Sequence, residues 1–111
     1  MDFNLSLVTH PPEAFVTLQG ELDLATTPLV TRQLRSAIDE GCRRMLIDLS
    51  EVTFIDASAL GMLTTTRREL REREGSLKFV AYGPTFLRLC RATGLAEHFG
   101  LTGPDEALAP V

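Results

Sequence analysis

The chain has 111 residues, of which 44% are hydrophobic and 23% charged, and its formal net charge is -4. That length is enough for one domain, spanning 1–111, with a normal buried core, and the composition is globular rather than fibrous or disordered. A net negative charge speaks against the concentrated basic face that a nucleic-acid backbone requires.

Phe3 to Val8 alternates apolar and polar side chains, the pattern of a half-buried strand, and His10-Pro11-Pro12 predicts a turn. Ala14 to Gly20 resumes the alternation, so the first two strands are expected to form a hairpin. After Gly20-Glu21-Leu22-Asp23, Thr27-Pro28 predicts a helix start with the threonine as cap and proline in the first turn. Val30, Leu34, Ala37 and Ile38 then fall on one helical face, and Gly41 stops it.

Arg43 to Ser50, "RRMLIDLS", is a short apolar run that predicts a central strand buried on both faces. A second helix is expected from Ala59 to about Glu74, with Leu60, Leu63 and Leu70 inside and Gly75 at its end. Its charged half pairs Glu69 with Arg73 and Arg68 with Glu72 at i, i+4, as a solvated helix face does. Ser76 to Tyr82 predicts another strand, and Gly83-Pro84 opens a third helix that turns Phe86, Leu87, Leu89 and Cys90 inward and closes at Gly94. "LAEHFGLT" is expected to hold a short edge strand, and "GPDEALAPV" a last helical turn with Asp105 and Glu106 at its positive end. The expected order is β-β-α-β-α-β-α-β-α, an α/β domain with an N-terminal hairpin, a mostly parallel mixed sheet and helices packed against it.

The sequence offers little for catalysis. His10 and His98 each lack a second ligand at metal spacing, so no metal and no cofactor is expected. Cys42 and Cys90 read as buried, reduced thiols. The glycines are isolated, with no phosphate-binding loop among them, and Ser58, His98 and Asp23 lack the glycine-flanked turn of a hydrolase nucleophile. No catalytic residue is assigned, and the protein is expected not to be an enzyme. A two-component receiver domain, with Asp48 or Asp56 as phosphoacceptor, fails for want of an acidic pair after the first strand and a lysine beyond a late one. Lys78 lies inside a strand pattern. No apolar run approaches the ~20 residues of a membrane span, and "MDFNLSLVTH" lacks a signal peptide's basic head, so a soluble cytoplasmic protein is expected.

What remains is the strand-to-helix corner in Leu46 to Leu63, "LIDLSEVTFIDASALGML", and the "GELD" segment before the first helix. These segments, with the element order and the tail "FLRLCRATGLAEHFGLTGPDEAL", resemble the STAS domain, and within it the bacterial anti-sigma factor antagonists. The resemblance covers nearly the whole chain. It implies a partner-switching regulator that binds an anti-sigma factor with an ATP-dependent serine kinase domain and so releases a sigma factor. It also implies a metal-dependent serine phosphatase that reverses the phosphorylation. The partner surface it implies is Glu21, Asp23 and the Asp56–Gly61 corner: Asp56, Ala57, Ser58, Ala59, Leu60 and Gly61.

In that family the corner usually reads Asp-Ser-Ser/Thr-Gly-Leu-Gly, and the first serine accepts the phosphoryl group. Here Ala57 occupies the acceptor position and Ala59 replaces the glycine. Ser58 is the nearest substitute, roughly 100° further around the helix. Two outcomes stay open: phosphorylation of Ser58, or a permanently active, non-phosphorylatable STAS binding module. The resemblance also allows an accessory subunit of an ABC-type lipid transport complex, or a STAS fold that binds a small ligand or nucleotide. Whatever the function, Asp56 is expected to cap the second helix. The unpartnered N–H groups of that helix start are expected to favour a phosphoserine adding about -1.5 to -2 charges. Asp23, if close, would deepen the negative patch.

Overall fold

A computed structural model describes residues 3–101. Strands β1 (Phe3–His10) and β2 (Glu13–Leu22) form the expected antiparallel hairpin. His10 ends β1 rather than lying in the turn. Helix α1 (Thr27–Asp39) leads to β3 (Arg44–Ile55), and α2 (Ala57–Glu72) to β4 (Ser76–Ala81), with α3 (Pro84–Ala92) following. The sheet is ordered β1-β2-β3-β4; β3 is parallel to both β2 and β4.

One face of this sheet is covered. Ala14, Met45 and Leu77 share one row across β2, β3 and β4, Val16, Ile47 and Phe79 the next, and all six are buried. They join Val30, Leu34 and Ile38 of α1, Leu63 and Leu70 of α2, and Phe86 and Leu87 of α3 in one core. Right-handed β-α-β crossovers between neighbouring parallel strands put their helices on the same side, which accounts for this two-layer arrangement. The other face is open: Val8, Phe15 and Val80 are exposed, and Leu46 is half-buried. The central strand is therefore buried on one face, not on both as its apolar run suggested, because β3 alternates buried and partly open positions.

Helix boundaries shifted for local reasons. The cap of α1 is Thr26, not Thr27, and its side chain makes no cap bond; Pro28 still sits in the first turn. Helix α2 begins at Ala57, two residues before the expected start and directly after the Asp56 cap. At its far end, Glu74 takes the left-handed conformation with φ 59°, the role expected of Gly75. Gly75 is needed for a different reason: a Cβ there would lie 2.1 Å from the Arg43 carbonyl oxygen. Glu69 pairs with Arg35 of α1, not with Arg73, whose guanidinium donates to the Glu69 carbonyl at 3.3 Å.

Among the described residues of "LAEHFGLT" the expected strand is absent; residues 96–100 form turns. Backbone bonds from Phe99 N–H to the Leu95 carbonyl (2.9 Å) and Leu101 N–H to Ala96 (2.7 Å) curl the segment so that Phe99 and Leu101 are buried. Phe99 closes an aromatic cluster with Phe79 and Phe86, at centroid distances of 5.1 and 6.3 Å. Burying those rings draws the segment over the core and away from a sheet edge. The expected last helical turn, with Asp105 and Glu106, lies outside the described residues.

Candidate functional site

Parallel strands deliver the chain to helix starts at one end of the sheet, and in open α/β sheets that end is where sites form. Here β2 and β3 end side by side, with Leu22 opposite Ile55. The β2–α1 loop and the β3–α2 corner are therefore neighbours, as the family resemblance implied. Asp56 N–H donates to the Leu22 carbonyl at 3.3 Å and joins them through the backbone.

Asp56 is the N-cap of α2 in extended conformation, as expected. Its Oδ1 accepts from the N–H groups of Ser58 (3.0 Å) and Ala59 (3.3 Å) and from the Ser58 hydroxyl at 2.5 Å. The Leu24 backbone N–H also donates to it across the loop. These donors favour the carboxylate and hold it below its usual pKa, the Ser58 hydroxyl most of all, against an opposing push from partial burial. Two of the N–H groups expected to favour a phosphoserine, those of Ser58 and Ala59, are thus already taken by the cap itself.

The β2–α1 loop is built by side chains. Asp23 Oδ1 accepts from the N–H groups of Ala25 (2.9 Å) and Thr26 (3.1 Å), which makes Asp23 a turn-former rather than a freely projecting charge. The Thr26 hydroxyl accepts from Asp23 N–H and donates to the Glu21 carbonyl, both at 2.9 Å. The Thr27 hydroxyl donates to the Asp23 carbonyl at 2.6 Å and lies 3.4 Å from the Ser58 hydroxyl oxygen. Loop and corner therefore meet through Thr27 and Ser58 as well as through Leu24 and Asp56.

Not every expected residue reaches the surface. Ala59 and Leu60 are buried, so their side chains belong to the core rather than to a contact surface. Ala57 and Gly61 are exposed, and Glu21, Asp23, Asp56 and Ser58 are half-buried. Below the corner, α1 and α2 leave a groove of about 250 Å³ beside Gly61, with Thr31 and Met62 on its walls and the Arg35–Glu69 pair across it. Leu24 and Thr27 went unrecognised in the sequence. Leu24 is 75% exposed beside the Asp56 carboxylate, and only its unexplained apolar side chain in a turn could have drawn attention to it. Thr27 looked like a cap, and its contact with Ser58 spans 31 residues.

Among the described residues no cluster of His, Cys, Asp and Glu could hold a metal ion, and His98 lies 3.3 Å from Arg67, away from the corner. Lys78 is an exposed residue of β4. Both cysteines are free and buried; burial pushes the Cys90 thiol up to about 11 and raises that of Cys42. They have the character of inert core thiols, not of nucleophiles. Among the described residues no helix is long and apolar enough to cross a membrane.

Residues 4–109 match the family profile of the STAS domain. An anti-sigma-B factor antagonist of Staphylococcus epidermidis is 28% identical over 97 residues, which cover 87% of this chain and 90% of that protein. The crystal structure of an anti-sigma factor antagonist from Mycobacterium paratuberculosis superposes with a TM-score of 0.79 at 26% identity, covering 99% of this chain and 87% of that one. The anti-sigma factor antagonist SpoIIAA in its unphosphorylated form gives a TM-score of 0.74 at 25% identity, covering 86% and 84%.

Proposed function

This chain belongs to the STAS domain family, and from that premise we propose that it is an anti-sigma factor antagonist that works by binding, not by catalysis. The similar proteins of S. epidermidis and M. paratuberculosis, both named as such antagonists, support this reading. Its partner is an anti-sigma factor with an ATP-binding serine kinase domain, met in the cytoplasm. The contact surface is the exposed part of the corner, Asp56, Ala57, Ser58 and Gly61, together with Glu21, Asp23 and Leu24 of the adjoining loop.

One observation carries the switch: Ser58 offers a part-exposed hydroxyl whose oxygen lies 2.5 Å from the Asp56 carboxylate, while position 57 carries no hydroxyl at all. In the proposed step the Ser58 oxygen bonds to the γ-phosphorus of ATP, the bond to ADP breaks, and the hydroxyl proton passes through the Asp56 carboxylate to water. The product carries about -1.5 to -2 additional charges beside Asp56. A partner surface shaped for a neutral hydroxyl must then desolvate that charge, and it dissociates. A metal-dependent serine phosphatase restores the binding form.

The test is calorimetry with a purified anti-sigma factor kinase, using wild-type protein and Ser58→Glu. The expected result is a loss of affinity of at least about ten-fold in the variant, consistent with a like charge placed in an interface. Equal binding by the two proteins removes the charge switch. Incubation with kinase and ATP, followed by intact mass and site mapping, is expected to place one phosphoryl group on Ser58.

A further inference from the structure

Two hydroxyl groups meet at the corner, and their protons are already committed. Ser58 directs its proton to Asp56 Oδ1 at 2.5 Å, and Thr27 directs its proton to the Asp23 carbonyl at 2.6 Å. The 3.4 Å contact between the two oxygens is longer than either bond and has no proton left to fill it. At the helix start the Ser58 and Ala59 N–H groups bond the Asp56 carboxylate, and Ala59 and Leu60 N–H also reach its carbonyl at 3.2 and 3.3 Å, which leaves only the Ala57 N–H outside this set.

A phosphoryl group on Ser58 therefore meets a helix terminus with three of its N–H groups already held by Asp56, and its ester oxygen has lost the proton that Asp56 held. The nearest side-chain hydroxyl on another element is Thr27. We propose that Thr27 is the positioning residue of this switch: its hydroxyl turns from the Asp23 carbonyl to the phosphoryl group and so couples modification of Ser58 to the β2–α1 loop. A hydrogen bond to an anion is roughly twice as strong as one between neutral groups, which sets the direction of the exchange. The Asp23 carbonyl keeps the Thr27 N–H at 2.9 Å and the Thr26 N–H at 3.2 Å, so the loop loosens without unravelling. Leu24, tied to Asp56 by its own N–H, lies in the segment that loosens. The surface offered to a partner thus changes in shape as well as in charge.

This inference rests on Ser58 being the modified residue, and its test supplies the phosphoserine directly. Phosphoserine is encoded at position 58 in the wild-type, Thr27→Val and Thr27→Ser backgrounds, and the phosphate is titrated by phosphorus NMR. Thr27 as donor stabilises the dianion, so the second ionisation is expected at lower pH in wild type and Thr27→Ser than in Thr27→Val. The expected difference in proton affinity is about three-fold, the scale of one charge-assisted bond retained. Amide exchange at Ala25 to Thr27 is expected to quicken several-fold on phosphorylation of wild type and to be indifferent to it in Thr27→Val. Superimposable titrations in the three backgrounds, or exchange that ignores the phosphoryl group in wild type, overturn the proposal. A kinase that leaves Ser58 unmodified would instead sink the functional reading, and leave this result standing.

Discussion

The two ends of the sheet are joined by different chemistry. At the end that starts β3 and β4, backbone groups make the joins: Arg43 and Arg44 N–H both donate to the Pro12 carbonyl, at 2.7 and 2.9 Å, and Ser76 N–H donates to the Arg43 carbonyl at 2.8 Å. The chains approach so closely that Gly75 leaves no space for a side chain. At the opposite end, a carboxylate and three hydroxyls, those of Asp56, Ser58, Thr26 and Thr27, hold loop to helix. Backbone bonds between close-packed strands cannot be exchanged without moving the strands. Side-chain hydroxyls can change partner by rotating one bond. The first end fixes the fold, and the second is where a covalent modification can act without unfolding it.

The sharpest way to break this contrast is Gly75→Ala. Its Cβ would meet backbone rather than a flexible side chain, so the expected loss is about 3 kcal/mol, the upper range for overpacking. Urea denaturation measures it, and a midpoint matching wild type would show that this end is not rigid. Asp56→Ala removes the acceptor for two helix N–H groups, the Ser58 hydroxyl and the Leu24 N–H; it should cost about 1 to 2 kcal/mol. Amide exchange should then quicken at Leu24, Ser58 and Ala59 while the Pro12–Arg44 end keeps its protection.

Acid should tell the ends apart more gently. The folded Asp56 carboxyl lies below its ordinary 3.8, chiefly through the Ser58 hydroxyl, so protonation favours the unfolded chain. Its contribution is whole above 3.8 and is lost as pH falls from there through the folded value. Comparing wild type with Asp56→Asn, the stability gap is expected to be constant above about pH 4 and to shrink below it. A gap that widens on acidification would contradict the cap geometry. The smallest effect is expected from Ala57→Ser: this exposed position should change stability by no more than about 0.5 kcal/mol. The same substitution restores a hydroxyl at the family's usual acceptor position, and site mapping after kinase treatment would show whether phosphate moves to it.

Much of the fold was legible because its signals are local. The inner faces of α1 and α2 follow from helical spacing, and Asp56 as a cap follows from a carboxylate placed before an apolar helix. The hairpin follows from alternation on either side of two prolines. What escaped were effects of tertiary packing. Residues 95–101 have the apolar content of a strand, yet Phe99 is drawn onto Phe79 and Phe86, and the backbone turns to let it. Gly75 looked like a helix terminator, but the reason for it is the carbonyl of Arg43, 32 residues earlier in the chain. The site was half legible for the same cause. Its segments declared themselves, while the Thr27–Ser58 contact depends on how β2 and β3 end relative to each other. The burial of Ala59 and Leu60 depends on which side of α2 faces the sheet.

The spatial order of the strands is also their order in the chain, β1 through β4. During synthesis each strand leaving the ribosome meets an edge made by the one before it, so no strand waits for a distant partner and no insertion between paired strands is required.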